Sequence, residues 1–207
     1  MASRAAIAPM QETIQQLNDL ELAILASLVT EEHCIFATDA ESTDGLKHEL
    51  HAICTHTFGL GTTTITCNAD TSVDDLNEAL LVERREELDD ESRTYSQPSS
   101  AVRNIGFSRL GRSPSPSAIN DIEPRRIANV VIAADLDLTD TSVHIQVLEL
   151  LRTRRVFTRT AMHTAPKDFL FISIMSSPGE RLTHHLNDMF CMSHFHLSGQ
   201  QQLIGSE

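Results

Sequence analysis

Two apolar runs constrain the fold of this chain more than any other feature. One is IANVVIAA at residues 127–134, and the other is FLFISIM at residues 169–175. Strands that are covered by helices on both faces of a parallel sheet read as nearly continuous apolar runs. The two runs therefore predict two strands inside a parallel sheet.

The other segments alternate between helix-like and strand-like patterns. Helical spacing or caps are found at about residues 12–28, 46–57, 71–81 and 139–156. Strand-like patterns are found at about residues 33–37, 62–68 and 191–197, with a hairpin at 155–169. This alternation predicts an α/β fold, a three-layer sandwich with a mostly parallel central sheet.

Composition interrupts this pattern at about residues 82–126. The stretch is dense in charge and then rich in Ser, Pro, Gly and Arg, with too few apolar side chains to offset its ordering entropy. We interpret it as a disordered insertion, because neither flank holds enough elements to close a core alone. The predicted domain covers residues 11–197, with tails at 1–10 and 198–207. The Ser-Pro pairs in the insertion leave a phosphorylated signalling module open as a further hypothesis.

The charge balance limits the partners that we expect. A net charge of -13 argues against a nucleic-acid binder, which needs clustered Lys and Arg. No apolar run approaches the roughly 20 residues that cross a bilayer, and the N-terminus does not read as a signal peptide. We therefore expect no membrane contact and an intracellular location, cytoplasmic or nuclear.

Cysteine and histidine spacing predicts no metal site. The four cysteines are scattered without a CxxC pair, so buried free thiols are expected. In HELHAICTH, His48 and His51 are three residues apart, whereas the HExxH zinc motif needs four. Ordinary surface residues are the expectation for the remaining clustered histidines, His184, His185, His194 and His196.

The order of elements in the second half carries a resemblance to a known family. ANVVIAADLD precedes a helix that ends in VLELLRTRRV, a hairpin leads into FLFISIM, and LNDMF follows. This order resembles the AAA+ ATPase core of the magnesium-chelatase and MoxR clade. The residues within these segments look most similar to those of fungal proteins labelled magnesium chelatase. The resemblance implies a P-loop NTPase-like fold, MgATP as cofactor, and faces that assemble rings. The helical lid of such domains is expected to be absent.

The phosphate-loop position departs from the motif G-x-x-x-x-G-K-[ST]. The chain offers ATDAESTDGLKH at residues 37–48, where the first glycine is missing and Gly45 and Lys47 are separated by a leucine. Asp39, Glu41 and Asp44 place carboxylates where phosphates would lie. At an effective dielectric near 20, each like-charge pair about 4 Å apart costs on the order of 4 kcal/mol. Gly45 and Lys47 are thus the residues of a degenerate nucleotide site.

The other catalytic positions of the family depart as well. Alignment on the helix before Val156 places Asp135 at the position of the Walker B base, and shifted alignments give Asp135 or Asp137 to the metal or the base. These acids equally suit capping of the next helix. Ser176 replaces the expected sensor Asn, and Met189 replaces an arginine finger. If the chain were active, we would expect Asp135, Asp137 and Ser176 to be the catalytic residues.

These departures predict a catalytically degenerate AAA+-like domain that acts in protein–protein association. No cofactor is then expected, and the partner is another protein or a further copy of the chain. The expected contact residues are Arg154, Arg155, Arg159 and Asp188, although the arginines equally suit a solvated helix end and hairpin. The alternative is a divergent ATPase of the magnesium-chelatase type that binds MgATP through Lys47.

Overall fold

The structure is a computed structural model that describes residues 14–83, 125–159, 161–176 and 182–196. Within these ranges the α-helices are α1 (Asp19–Thr30), α2 (Thr43–Ala52), α3 (Val73–Ala79), α4 (Thr141–Thr153) and α5 (His184–Asn187). The strands are β1 (His33–Ala37), β2 (Thr62–Thr66), β3 (Leu81–Glu83), β4 (Arg125–Ile127), β5 (Val130–Ala134), β6 (Arg155–Phe157), β7 (Met162–Thr164), β8 (Leu170–Met175) and β9 (Phe190–Phe195). Two 3-10 turns, Ala40–Ser42 and Leu136–Leu138, precede α2 and α4, and a π-helical turn, Ile53–Thr57, follows α2.

A five-stranded sheet in the order β2-β5-β8-β1-β9 forms the centre of the fold. Every neighbouring pair in this sheet is parallel. Strands from before residue 83 and from after residue 125 contribute to it, and they belong to one compact unit. The predicted α/β fold with a mostly parallel central sheet is confirmed.

Alternate side chains of the central strands point to opposite faces and build two cores. On one face, Cys34, Ile132 and Ile172 pack with apolar residues of α1 and α2. On the other face, Ile35 and Phe171 pack with residues of α3, α4 and α5. Both faces of the sheet are thus covered by helices, which explains why β5 is wholly apolar and β8 is apolar except for Ser173.

Side-chain hydrogen bonds fix where α1, α3 and α4 begin. Asn18 and Ser72 start α1 and α3 with capping boxes that Glu21 and Asp75 complete. Asp140 caps α4 by accepting the backbone N–H of Thr141 at 2.7 Å. Each start agrees with a polar capping residue that precedes an apolar periodic stretch in the sequence.

Three sequence expectations need correction. The predicted strand at 127–134 is broken, because the Ala128 N–H donates to the Leu80 carbonyl (3.1 Å) instead of joining the ladder. The predicted helix at 12–28 is interrupted: residues 14 and 15 are helical, Leu17 and Asn18 are not, and α1 begins at Asp19 with Asn18 as its cap. The second begins at Thr43 rather than at residue 46, so Gly45 lies in its first turn. The predicted insertion at 82–126 and the predicted tails lie almost entirely outside the described residues. In the part of the chain that the structure describes, no helix is long and apolar enough to span a bilayer.

Candidate functional site

The carboxyl edge of the sheet is where this topology favours a ligand. The connection after β1 runs through α2 on one face, whereas the connections after β5 and β8 run through α4 and α5 on the other face. In open parallel sheets, ligands bind in the crevice outside the carboxyl ends of the strands at such a switch point. The segments that follow β1, β5 and β8 therefore define the candidate site.

The segment after β1 turns directly into a helix. Only Thr38 and Asp39 separate β1 from the 3-10 turn Ala40–Ser42, which leads into α2. Thr38 is buried; its N–H donates to the Met175 carbonyl (3.1 Å) and its hydroxyl donates to the His196 carbonyl (3.0 Å). These bonds hold the segment between the ends of β8 and β9. A loop this short has few backbone N–H groups left to surround a polyphosphate.

Gly45 has no geometric role that only glycine could fill. Its φ is not in the left-handed region, and a Cβ added there would meet nothing within 4 Å. A phosphate loop uses glycine for close approach of the backbone to the ligand. Gly45 instead occupies an open position in the first turn of α2, where alanine would fit as well.

Lys47 hydrogen-bonds to Asp44 in α2 and to Thr66 in β2, and not to the segment that follows β1. Its Nζ donates to Asp44 Oδ1 at 2.6 Å and to Thr66 Oγ1, at the end of β2, at 2.8 Å. The Lys47 side chain is only 13% exposed, whereas Asp44 is 80% exposed. The hydrogen bond from Lys47 lowers the pKa of Asp44, so this carboxylate remains charged beside the amine. The cation of the predicted nucleotide site is therefore paired within its own helix.

Asp135 and Ser176 meet at the ends of adjacent strands. The Ser176 hydroxyl donates to Asp135 Oδ1 at 2.7 Å, and the Asp135 N–H donates to the Ile174 carbonyl at 2.9 Å. Asp135 has φ 56°, a left-handed conformation that few non-glycine residues adopt and that is enriched at functional sites. Of the three residues expected to be catalytic if the chain were active, the structure thus brings two into direct contact.

Asp137 lies deeper than the other acids of this region. It is 8% exposed within the 3-10 turn Leu136–Leu138, and its charge and that of Asp135 both reach Cys67 at the end of β2. Burial, followed by these two carboxylates, raises the pKa of the Cys67 thiol to about 12. Cys67 is therefore a protonated core thiol at neutral pH and does not act as a nucleophile.

His144 is a buried residue that the sequence patterns do not single out. Its Nε2 lies 2.9 Å from the Leu136 carbonyl, which also accepts the Thr139 hydroxyl at 2.7 Å. His144 is 4% exposed and sits one turn into α4. It ties α4 to the turn that carries Asp137. A polar residue on the buried face of the helical pattern is the only signal the sequence offers for it.

The four residues predicted for a contact surface make different contacts in the structure. Arg154 is partly buried, ends α4 in a left-handed conformation, and donates to the Lys167 carbonyl at 2.9 Å. Arg159 pairs with Asp74 at 2.6 Å, and Asp188 pairs with His184 at 2.9 Å. Arg155 is exposed at the start of the β6–β7 hairpin. Arg154 therefore contributes to packing, while Arg155 and Arg159 remain accessible.

An apolar pair beside these arginines was missed from the sequence. Phe157 and Met162 face each other across the antiparallel β6–β7 hairpin and are 59% and 51% exposed. The alternation of apolar residues in RVFTRTAM predicts the hairpin, but it cannot show that both side chains point to solvent. With Arg155 and Arg159 they form what we call the hairpin surface, defined by these four residues.

Comparisons with known proteins give similar folds only. No protein-family model and no curated protein matches the sequence. Among solved structures, the Holliday junction branch migration motor RuvB of Thermotoga maritima is 12% identical, with a TM-score of 0.47; the match covers 90% of this chain and 45% of that chain. NtrX from Brucella abortus, in complex with ADP, is 10% identical, with a TM-score of 0.46; the match covers 93% of this chain and 40% of that one. The chain thus spans less than half the length of these two proteins, and similarities of this size carry no statement about its activity, ligand or partners.

Proposed function

We propose that this chain is a catalytically degenerate AAA+-like α/β domain that acts in protein–protein association. The observation that carries the proposal is the engagement of Lys47 by Asp44 and Thr66 beside a segment that passes from strand to helix in two residues. The resemblance to the magnesium-chelatase and MoxR clade in the order of elements supports the family assignment. Loss of the phosphate loop supports the loss of catalysis.

The ion pair alone would not exclude nucleotide, so the surrounding charge matters. A pair with a carboxylate as exposed as Asp44 is screened by solvent and contributes little, so a triphosphate could displace it. The N-terminus of α2 would favour an anion, but Asp39, Glu41 and Asp44 already supply negative charge around it. An incoming triphosphate would meet these carboxylates without a backbone cradle in return. The negative charge and the short segment after β1 therefore both oppose the binding of a triphosphate.

Association would use the hairpin surface. Aromatic residues, Met and Arg are the residue types enriched at protein interfaces, and all three occur here in exposed positions. Because the chain carries a net charge of -13, a second copy offers an excess of carboxylates to these arginines. An arginine-flanked apolar pair is complementary to an acidic face with an apolar centre, on a second copy or on another protein.

Calorimetric titration with ATP tests the loss of nucleotide binding. We expect no saturable heat with ATP, with or without Mg²⁺, for the wild type and for Lys47→Ala alike. A micromolar dissociation constant that Lys47→Ala abolishes would overturn the proposal. Lys167→Ala, which removes an exposed lysine away from the carboxyl edge and changes the net charge as Lys47→Ala does, is the matched control.

Sedimentation velocity at increasing protein concentration tests the association surface. A second copy that docks on the hairpin would give concentration-dependent mass that Phe157→Ser plus Met162→Ser removes. Ile145→Ser is the matched control, because Ile145 is 58% exposed on α4. A monomer at all concentrations would leave another protein as the partner. Equal retention of that purified partner by wild type and double variant would contradict the assigned surface.

One observation favours the alternative of a divergent ATPase. The Asp135–Ser176 hydrogen bond lies where β5 and β8 end, and an acid and a hydroxyl at that edge would suit coordination of Mg²⁺ and orientation of a water. Under this alternative, nucleotide affinity would depend on Mg²⁺ and would fall in Asp135→Asn. The same calorimetric titration therefore separates the two functions.

A further inference from the structure

We infer that His184, His185 and Asp188 form a surface site for a divalent transition-metal ion, with Zn²⁺ the best match. One ligand atom from each of these residues lies within 4.8 Å of the other two. His184 Nδ1 and Asp188 Oδ2 are already 2.9 Å apart. Among the residues described by the structure, this is the one group of three or more such side chains that converges in this way. The inference is independent of the proposed function.

The local helix explains why the three side chains converge. Successive residues of a helix are about 100° apart around its axis, so Asp188, four positions after His184, lies at an angle between His184 and His185. Leu186 lies on the opposite side of this short helix and is fully buried in the core with α4. Packing of Leu186 therefore holds the three polar side chains toward solvent. The sequence shows two adjacent histidines, but only the turn at α5 brings the carboxylate to them.

The donor set fits a borderline metal ion better than Mg²⁺ or Ca²⁺. Two imidazoles and one carboxylate are typical ligands of Zn²⁺, whereas hard cations prefer oxygen donors alone. With metal–ligand distances of about 2.0–2.1 Å, tetrahedral ligands lie roughly 3.3 Å apart. The His184–Asp188 pair at 2.9 Å would open by a few tenths of an ångström, which exposed side chains allow. Three protein ligands leave a coordination position for water or another donor.

The convergence of the three side chains has a competing explanation. His184 and Asp188 would form a hydrogen bond only, and His185 would lie near them without a role. Metal titration of the full chain, after treatment with a chelator, separates the two. We use Zn²⁺ in calorimetry and Co²⁺ in visible absorption near neutral pH. The metal site predicts one equivalent of saturable binding and Co²⁺ d–d bands of low coordination number. His185→Ala is expected to weaken metal binding by more than about tenfold. Even the loss of a residue that only hydrogen-bonds to a metal ligand lowers metal affinity by about tenfold or more.

A control must show that other histidines of the chain do not account for the metal binding. His48→Ala plus His51→Ala removes a second closely spaced histidine pair, on α2, and should leave the affinity within about twofold. Asp188→Asn should weaken binding as His185→Ala does, because it replaces a charged oxygen ligand. All three ligands are exposed, so metal-free circular dichroism should match the wild type. Absence of saturable Zn²⁺ binding, or equal affinity in His185→Ala and wild type, would overturn the inference.

Discussion

Acidification is expected to destabilise this protein through His33 at the start of β1. His33 is 5% exposed, its Nδ1 accepts the Phe171 N–H at 3.2 Å, and its ring packs edge-on against Phe169. Burial lowers the pKa of His33 from 6.5 to about 4; the Arg154 charge acts in the same direction, and Glu32 opposes it. A proton on this ring would break the bond from Phe171 and place a charge inside the fold.

The magnitude follows from the two pKa values. Unfolded His33 binds a proton as the pH falls through 6.5, but the native residue does so only near pH 4. Between these values the unfolded state holds more protons, so stability falls with decreasing pH and loses nothing further below the native pKa. Each pKa unit is about 1.4 kcal/mol, so the whole window is about 3 kcal/mol. About 2 kcal/mol of this is lost between pH 7 and pH 5.

Urea unfolding at pH 7 and pH 5, followed by far-ultraviolet circular dichroism, measures this loss. The wild type should lose about 2 kcal/mol more than His33→Gln, because glutamine does not titrate and the other histidines are common to both. His56→Gln, at an exposed position, should behave as the wild type. Equal pH dependence in wild type and His33→Gln would show that His33 is not the source of the acid sensitivity. If His33→Gln does not fold, an NMR titration that places the wild-type His33 pKa near 6.5 would show the same.

Three further predictions concern single side chains, each measured by urea unfolding at neutral pH. Asp140→Ala removes the cap of α4 and should cost about 1 kcal/mol, whereas an unchanged midpoint would show that the cap contributes nothing. Ser173→Ala should stabilise by about 1 kcal/mol, because its fully buried hydroxyl has no hydrogen-bond partner among the described residues; a loss of stability would contradict this. Lys47→Ala should leave the urea midpoint nearly unchanged, since its charged partner Asp44 is exposed and solvent screens the pair, and a clear loss of stability would mean that Lys47 supports the fold.

Much of the fold follows from local sequence patterns. The apolar run of β8 and the later part of the run that contains β5 give buried parallel strands, because side-chain burial on both faces leaves almost no polar positions. The polar residues before α3 and α4 give helix starts, because their side chains satisfy free backbone N–H groups. These effects depend on residues that are close together in the chain, so they can be predicted from a single sequence.

The arrangement of the candidate site depends on contacts between distant segments. The bond from Lys47 to Thr66 joins α2 to the end of β2, and the bond from Ser176 to Asp135 requires that β8 lies beside β5. Neither follows from spacing along the chain, because strand order is decided by the packing of the whole sheet. The exposure of Phe157 and Met162 likewise depends on what covers the hairpin, which periodicity cannot indicate. The predicted insertion falls almost entirely on residues that the structure does not describe.

The most direct test of the central claim is a nitrogen-15 NMR titration of the full chain with MgATP, because it reports on the segment from Thr38 to Lys47 residue by residue. We expect the amide shifts of this segment, and those of Asp135 and Ser176, to stay unchanged as MgATP is added in excess. Saturable shifts of these amides that disappear in Lys47→Ala would contradict this expectation and would assign the chain to the nucleotide-binding ATPases.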